Sequence, residues 1–265
     1  MKNKNFKEIF SMKNKIVLIF GGAGKLGIQF ERILSSYGAK VYILDKKITK
    51  HKPNHYKCDV GNKKEVQFVF NKIIKKENKI DVLIYNVYSK PDEYYKNFEN
   101  YNLKTWNNVV HTNLTGAFLV SQLAIKKFLK TKSKGNIIFL SSTYGIVGPD
   151  PKIYHNLKSK KNIYGGKFSL NTPAVYSSTK SGLIGLSKFI ATNYGKNNIR
   201  SNVLSPGGVY DKQEITFVKN YKLKVPLQRM AKWSDYDGAI LFLASDASNY
   251  MTGANLIVDG GWTAW

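Results

Sequence analysis

The sequence predicts a single-domain α/β fold built on one doubly wound parallel sheet. Short continuous apolar runs alternate with amphipathic helical patterns along the 265 residues. That is the order expected of parallel strands covered by helices on both faces. A glycine-rich turn directly follows the first apolar run, and no Pro/Gly/Ser-rich linker or internal repeat divides the chain. With 43% hydrophobic and 13% aromatic residues, the chain is long and apolar enough to bury a full core, which excludes a disordered polymer.

The first strand is Lys15–Phe20 (KIVLIF), an apolar run suited to burial on both faces. Gly21-Gly22-Ala23-Gly24-Lys25-Leu26-Gly27 follows, then the helical pattern Leu26, Phe30, Ile33, Leu34. A strand, a glycine turn and a helix N-terminus make an anion site, because backbone N–H groups and the helix dipole both favour a pyrophosphate there. The second strand, Lys40–Asp45, ends in an acid 18 residues after Gly27. A Rossmann-type dinucleotide fold puts a carboxylate there to accept the adenosine ribose hydroxyls. The charge of Asp45 would repel a 2′-phosphate, so NAD is favoured, while Lys25, Lys46 and Lys47 keep NADP open as an alternative.

A third strand ends before Asp59-Val60, and a helix is expected from about Asn62 to Glu77. The fourth strand, 81–85, runs into Asn86-Val87-Tyr88, and residues 102–130 read as one helix containing Asn113. The fifth strand, 135–140, leads to Ser141-Ser142-Thr143-Tyr144-Gly145. A sixth strand (199–204) leads to Ser205-Pro206-Gly207-Gly208, followed by a helix near 234–245 and a last strand at 255–258. Ligands of such sheets bind beyond the carboxyl ends of the strands. The glycine turn, Asn86, Ser142 and the Pro206 loop all fall at such ends.

The net charge of +25 first points to nucleic acid or an anionic membrane. Arginine occurs only at 32, 200 and 229 among the 42 basic residues, however, and arginine is the usual choice for bidentate phosphate recognition. The lysine excess reads as compositional bias, so no nucleic-acid partner is expected, although an attraction for anionic small molecules remains. Cys58 is the only cysteine, which rules out an internal disulfide and fits a reducing, cytoplasmic setting. No apolar run reaches the length of a membrane span. Residues 1–12 carry lysines but no apolar signal region and are expected to form an N-terminal arm on a domain of 13–265. His51, His55 and Cys58 are loosely spaced like metal ligands, but a structural zinc site needs four, so no metal is expected.

Tyr176 and Lys180 stand four residues apart, on one face of a helix. A phenol titrates near 10, and poising it near pH 7 needs about 4 kcal/mol of differential stabilisation. A neighbouring ammonium and a bound cationic cofactor in a dehydrated cleft could supply that. Taken alone, the pair is more often a chance pairing on an amphipathic helix.

In their order, the glycine turn, Asp45, Asp59-Val60, Asn86, Asn113, Ser142, Tyr176 with Lys180, Pro206-Gly207 and Val258-Asp259-Gly260-Gly261 resemble the short-chain dehydrogenase/reductase family over roughly residues 13–265. The resemblance implies that Tyr176 is the general acid/base of hydride transfer between nicotinamide and a carbonyl or alcohol. Lys180 would lower the phenol pKa and hold the nicotinamide ribose, Ser142 would hydrogen-bond the substrate oxygen, and Asn113 would support Lys180 through a water. Gly21, Gly24, Lys25, Leu26 and Gly27 would cradle the cofactor, with Asp45 on its ribose, Asp59 and Val60 flanking adenine and Asn86 beside it. Pro206, Gly207 and Val209 would complete the cofactor site, with Tyr176 and Lys180 bordering the cofactor as well. A tetramer or dimer is implied as well.

Several positions depart from the family pattern. Phe20 stands where the family has threonine, Lys25 replaces a glycine, and Tyr88 brings a ring to a glycine position beside the cofactor. Tyr176 follows Ser142 by 34 residues, which implies an insertion at about 146–175 holding Tyr154, His155, Lys158, Lys160, Lys161, Tyr164 and Phe168. Long loops beside active sites tend to be functional, and aromatics with lysines suit a polar or anionic sugar derivative. These features resemble the PtmA-like oxidoreductases of flagellin and surface-sugar modification. Two other readings remain at this stage: a reductase of 3-oxoacyl thioesters, and a non-catalytic NAD(P)-binding redox sensor.

Overall fold

A computed structural model describes residues 6–50, 52–157, 162–163 and 167–265. His51, Lys158, Lys160, Lys161, Tyr164 and the first five residues of the arm lie outside the described residues. Seven strands form one sheet in the order β3-β2-β1-β4-β5-β6-β7, and every pairing is parallel. They are β1 (Ile16–Phe20), β2 (Lys40–Asp45), β3 (His55–Lys57), β4 (Val82–Tyr85), β5 (Gly135–Leu140), β6 (Ile199–Pro206) and β7 (Asn255–Val258). The order reverses between β1 and β4, which opens a crevice at their carboxyl ends.

Side-chain alternation on β1 divides the core. Ile16, Leu18 and Phe20 face one layer with α3 (Lys63–Glu77), α5 (Gly116–Thr131) and α6 (Ala174–Tyr194). Val17 and Ile19 face the other, with α2 (Lys25–Ser36) and α8 (Asp237–Ala244). The expected helix at 62–77 starts where Asn62 caps it by accepting the Lys64 and Glu65 N–H groups. The arm runs through α1 (Phe6–Ile9) to Met12, which is fully buried in the α2 layer and donates its N–H to the Tyr37 carbonyl.

Three departures from the sequence reading matter for the site. The single helix expected at 102–130 is α4 (Leu103–Val110), a π-helical turn at His111–Thr115, then α5. The wide turn carries Asn113, and such turns recur at functional sites. A helix not foreseen, α7 (Ile215–Lys222), follows β6, and the helix near 234–245 begins as a 3-10 turn at Trp233–Tyr236. Finally, part of the 146–175 stretch is a packed platform: a 3-10 turn at Pro151–Tyr154 lies on α7. Asp150 pairs with Lys224 at 2.7 Å, and Asn220 donates to the Ile153 and His155 carbonyls.

Candidate active site

The glycine turn is fixed by close approach on two sides. Gly21 has φ +77° and lies against the Asn86 backbone, where a Cβ would fall 2.6 Å from the Asn86 carbonyl oxygen. A Cβ on Gly27 would fall 2.5 Å from the Gly22 carbonyl oxygen, so only glycine lets α2 start this near β1. Gly24 caps α2 in extended conformation without a side-chain hydrogen bond, and the first turn holds no acid. The helix therefore opens towards the crevice with its first N–H groups uncapped by side chains among the described residues, a cradle that fits a pyrophosphate. Leu26 turns into the α2 layer of the core. Lys25 instead pairs with Asp211 beyond β6 and stands 5.6 Å from the Trp233 ring.

Asp45 accepts the Ala23 N–H at 3.1 Å with one oxygen and the Lys47 N–H at 2.9 Å with the other. The carboxylate is thereby set against the glycine turn, where a ribose would lie. Asn86 donates to the Gly21 carbonyl at 2.9 Å, so its side chain fastens the turn to the end of β4. Asp59 accepts the Gly61 N–H at 2.9 Å, and buried Val60 packs against Gly116. Both contacts shape the turn after β3.

At the far side of the crevice, α6 is stapled to β5. Ser141 Oγ donates to the Lys180 carbonyl at 2.8 Å, while Lys180 Nζ donates to the Leu140 carbonyl at 2.6 Å. Lys180 is 4% exposed, and burial lowers its ammonium from the ordinary lysine range to about 7. Its Nζ lies 5.8 Å from the centre of the Tyr176 ring, so the helical pair forms as the spacing predicts. Burial thus works against the charge expected of Lys180. Ser142 accepts the Tyr144 N–H at 3.2 Å and caps the 3-10 turn Thr143–Gly145, leaving its own O–H to give.

Asn113 is fully buried. Its carbonyl oxygen accepts the Ser89 N–H at 2.9 Å, and its amide donates to Thr179 Oγ1 at 3.2 Å. Among the described residues its side chain thus meets the turn after β4 and the residue before Lys180, rather than Lys180 itself. Thr179, with no sequence signature of its own, is part of this link. Tyr88 stays half exposed, its ring edge-on to Tyr176 with centres 6.1 Å apart.

Pro206 closes β6. The Gly207 carbonyl accepts the Tyr236 hydroxyl, and the Gly208 N–H donates to the Tyr221 hydroxyl at 2.6 Å. Val209 bridges Ala231 through the Gly208 carbonyl and the Tyr210 N–H, so its own N–H points away from that bridge. An aromatic wall stands above this loop: Tyr221 stacks on Trp262 with centres 4.6 Å apart, and Tyr144 meets Trp262 edge-on. Among the described residues the Tyr144 hydroxyl is buried without a hydrogen-bond partner, and burial pushes its pKa up. Neither Tyr221 nor Trp262 stands out along the chain; they meet only because α7 and the segment after β7 come together at this loop.

The chain matches the family model described as short chain dehydrogenase over residues 15–154. It also matches a model described as enoyl-(acyl carrier protein) reductase over 160–263. It is 28% identical to the ribulose-forming D-arabinitol 2-dehydrogenase of Candida tropicalis, covering 98% of this chain and 96% of that protein. The NADP-dependent mannitol dehydrogenase of Alternaria alternata is 28% identical over 97% and 95% of the two chains. A crystal structure of a short chain dehydrogenase from Leptospira borgpetersenii with bound NAD+ is 33% identical, covers 99% and 97%, and superposes with a TM-score of 0.84.

Proposed function

This chain belongs to the short-chain dehydrogenase family, and from that premise we propose that it is a nicotinamide-dependent oxidoreductase acting on the CH–OH or carbonyl group of a sugar alcohol or sugar derivative. The observation that carries the reading is the double staple between β5 and α6. It holds the Tyr176–Lys180 face at one end of the crevice whose other end is the uncapped start of α2.

The nicotinamide, when bound, supplies or accepts the hydride. Gly21, Gly24, Gly27 and the first N–H groups of α2 hold the pyrophosphate, with Lys25 and Leu26 at the mouth of the turn. Asp45 accepts ribose hydroxyls, which favours NAD over NADP. Asp59, Val60 and Asn86 border the adenosine half, and Pro206, Gly207 and Val209 the nicotinamide half. Tyr176 gives its phenolic proton to the substrate oxygen in reduction and takes it back in oxidation. Ser142 donates to the same oxygen and stabilises its developing charge. Lys180 shifts the Tyr176 proton equilibrium once it carries its charge, and Asn113 positions it through Thr179.

Relatives named for arabinitol and mannitol support a polyol or sugar over a 3-oxoacyl thioester. A role in surface-sugar modification rests on the Gly21–Gly24 turn, Tyr88 and the long Ser142–Tyr176 interval. Exposed Phe118 on α5 and Phe189 on α6 support a homo-oligomer through that layer. No described helix is long and apolar enough to cross a membrane. The test is a dehydrogenase screen with NAD and NADP against polyols, sugars and sugar phosphates, with Tyr176→Phe as the blank. Turnover that persists at the wild-type rate in that variant would overturn the assignment.

A further inference from the structure

Lys90 lies on the loop after β4, four residues beyond Asn86. Its ammonium stands 5.0 Å from the centre of the Tyr88 ring and 5.8 Å from that of Tyr95. Tyr88 in turn meets Tyr176 edge-on at 6.1 Å, and Lys180 Nζ lies 6.0 Å from the Tyr88 ring. A single ring therefore separates Lys90 from the proposed proton donor. Tyr95 belongs to an apolar cluster with Tyr94, Val109 and Val175, against which Tyr176 and Phe168 pack. The wall carrying Lys90 is thus continuous with the stretch between Ser142 and Tyr176.

A cation can rest against aromatic faces, but partial removal from water still costs it. Burial first, then repulsion from Lys47, lowers Lys90 to about 8, while Asp211 acts in the opposite direction. Asp211 is already paired with Lys25. An anion arriving here would meet a partly dehydrated ammonium, where attraction is stronger than in open water.

We propose that Lys90 is a specificity-determining residue that binds a carboxylate or phosphate group of the substrate beside Tyr176. This rests on the reading of Tyr176 as the proton-transfer group. The substrate class that follows is an acidic or phosphorylated sugar or polyol rather than a neutral one.

The test compares wild type, Lys90→Met and Lys90→Arg. Turnover is measured with D-mannitol against D-mannitol 1-phosphate and D-gluconate, and calorimetry measures tartrate binding to the enzyme–NADH complex. The expected result for Lys90→Met is at least a tenfold fall in the charged-to-neutral ratio of kcat/KM, carried by KM. Tartrate binding should weaken equally, and the NADH Kd should change less than twofold. Lys90→Arg should restore most of the charged preference. An unchanged ratio with unchanged tartrate affinity overturns the proposal. So does a tenfold weaker NADH Kd at an unchanged ratio, which would assign the cation to the cofactor's pyrophosphate. Tartrate binding that depends on Lys90 in a protein turning over no sugar or polyol would sink the proposed reaction and leave the anion site standing. Absence of tartrate binding and of charged preference in wild type overturns the site itself.

Discussion

Lys180 Nζ gives its hydrogen bond to the Leu140 carbonyl at 2.6 Å, so the buried cation beside Tyr176 is held by the last residue of β5. A carbonyl accepts from an ammonium or an amine alike, and burial has already brought the group to about 7. The contact fixes the position of the nitrogen without fixing its charge.

Stability should therefore depend on pH in a defined window. An unfolded lysine keeps its proton up to about 10.4, whereas folded Lys180 sheds it above about 7. Between these values the unfolded chain binds more protons, so stability rises with pH, by up to about 1.4 kcal/mol per unit for one group. Lys90, lowered to about 8, adds to the rise. Cys58, pushed up to about 12, opposes it once an unfolded thiol ionises near 8.5. Denaturant titration of the cofactor-free protein should show the rise from pH 7 to about 8.5, and Lys180→Met should flatten most of it.

Tyr176→Phe keeps the ring and its contact with Tyr88 but removes the proton. Turnover should fall by about 10²–10⁴-fold, the usual worth of a positioned acid or base. The NADH Kd, read by fluorescence, should rise no more than a few-fold. A comparable loss of cofactor binding would mean that Tyr176 acts by holding the cofactor rather than by moving the proton.

Gly27→Ala places a methyl 2.5 Å from a backbone oxygen. Neither side is flexible, so α2 must move away from β1. Overpacking of this kind costs about 1–3 kcal/mol. Thermal unfolding should shift down, and NAD affinity should fall by more than the stability loss alone explains, because the displaced N–H groups are the proposed ligands.

Asp45→Ala removes the charge that would face a 2′-phosphate. The ratio of kcat/KM for NAD over NADP should drop at least tenfold, with Lys46 and Lys47 now unopposed. Because Asp45 also accepts the Ala23 N–H, some loss with both cofactors is expected. A ratio that does not move would mean the ribose is read elsewhere.

The fold was legible because parallel strands buried on both faces leave apolar runs, and each run of the core strands is found in the sheet. The glycine turn was legible from its place between a buried strand and a helix start, and the structure adds that Gly21 and Gly27 stand where a side chain cannot. Ser142, Tyr176 and Lys180 became legible through their order along the chain. Other features leave no such trace. The π-helical turn around Asn113 changes a hydrogen-bond register without changing the side-chain pattern. Helix α7 is two turns long, too short for its periodicity to stand out. Lys90 is one of many lysines, and its distinction lies in Tyr88 and Tyr95 beneath it, which adjacency in sequence does not reveal.

The ion pair of Asp150 with Lys224, and the reach of Asn220 to the Ile153 and His155 carbonyls, bind two segments some seventy positions apart in the chain into one slab. A graft of residues 146–175 alone onto another scaffold would arrive with its underside unmatched. The unit that can be exchanged between such enzymes is the pair, stretch and α7 together, and selectivity engineered in one half must be recombined with the other to persist.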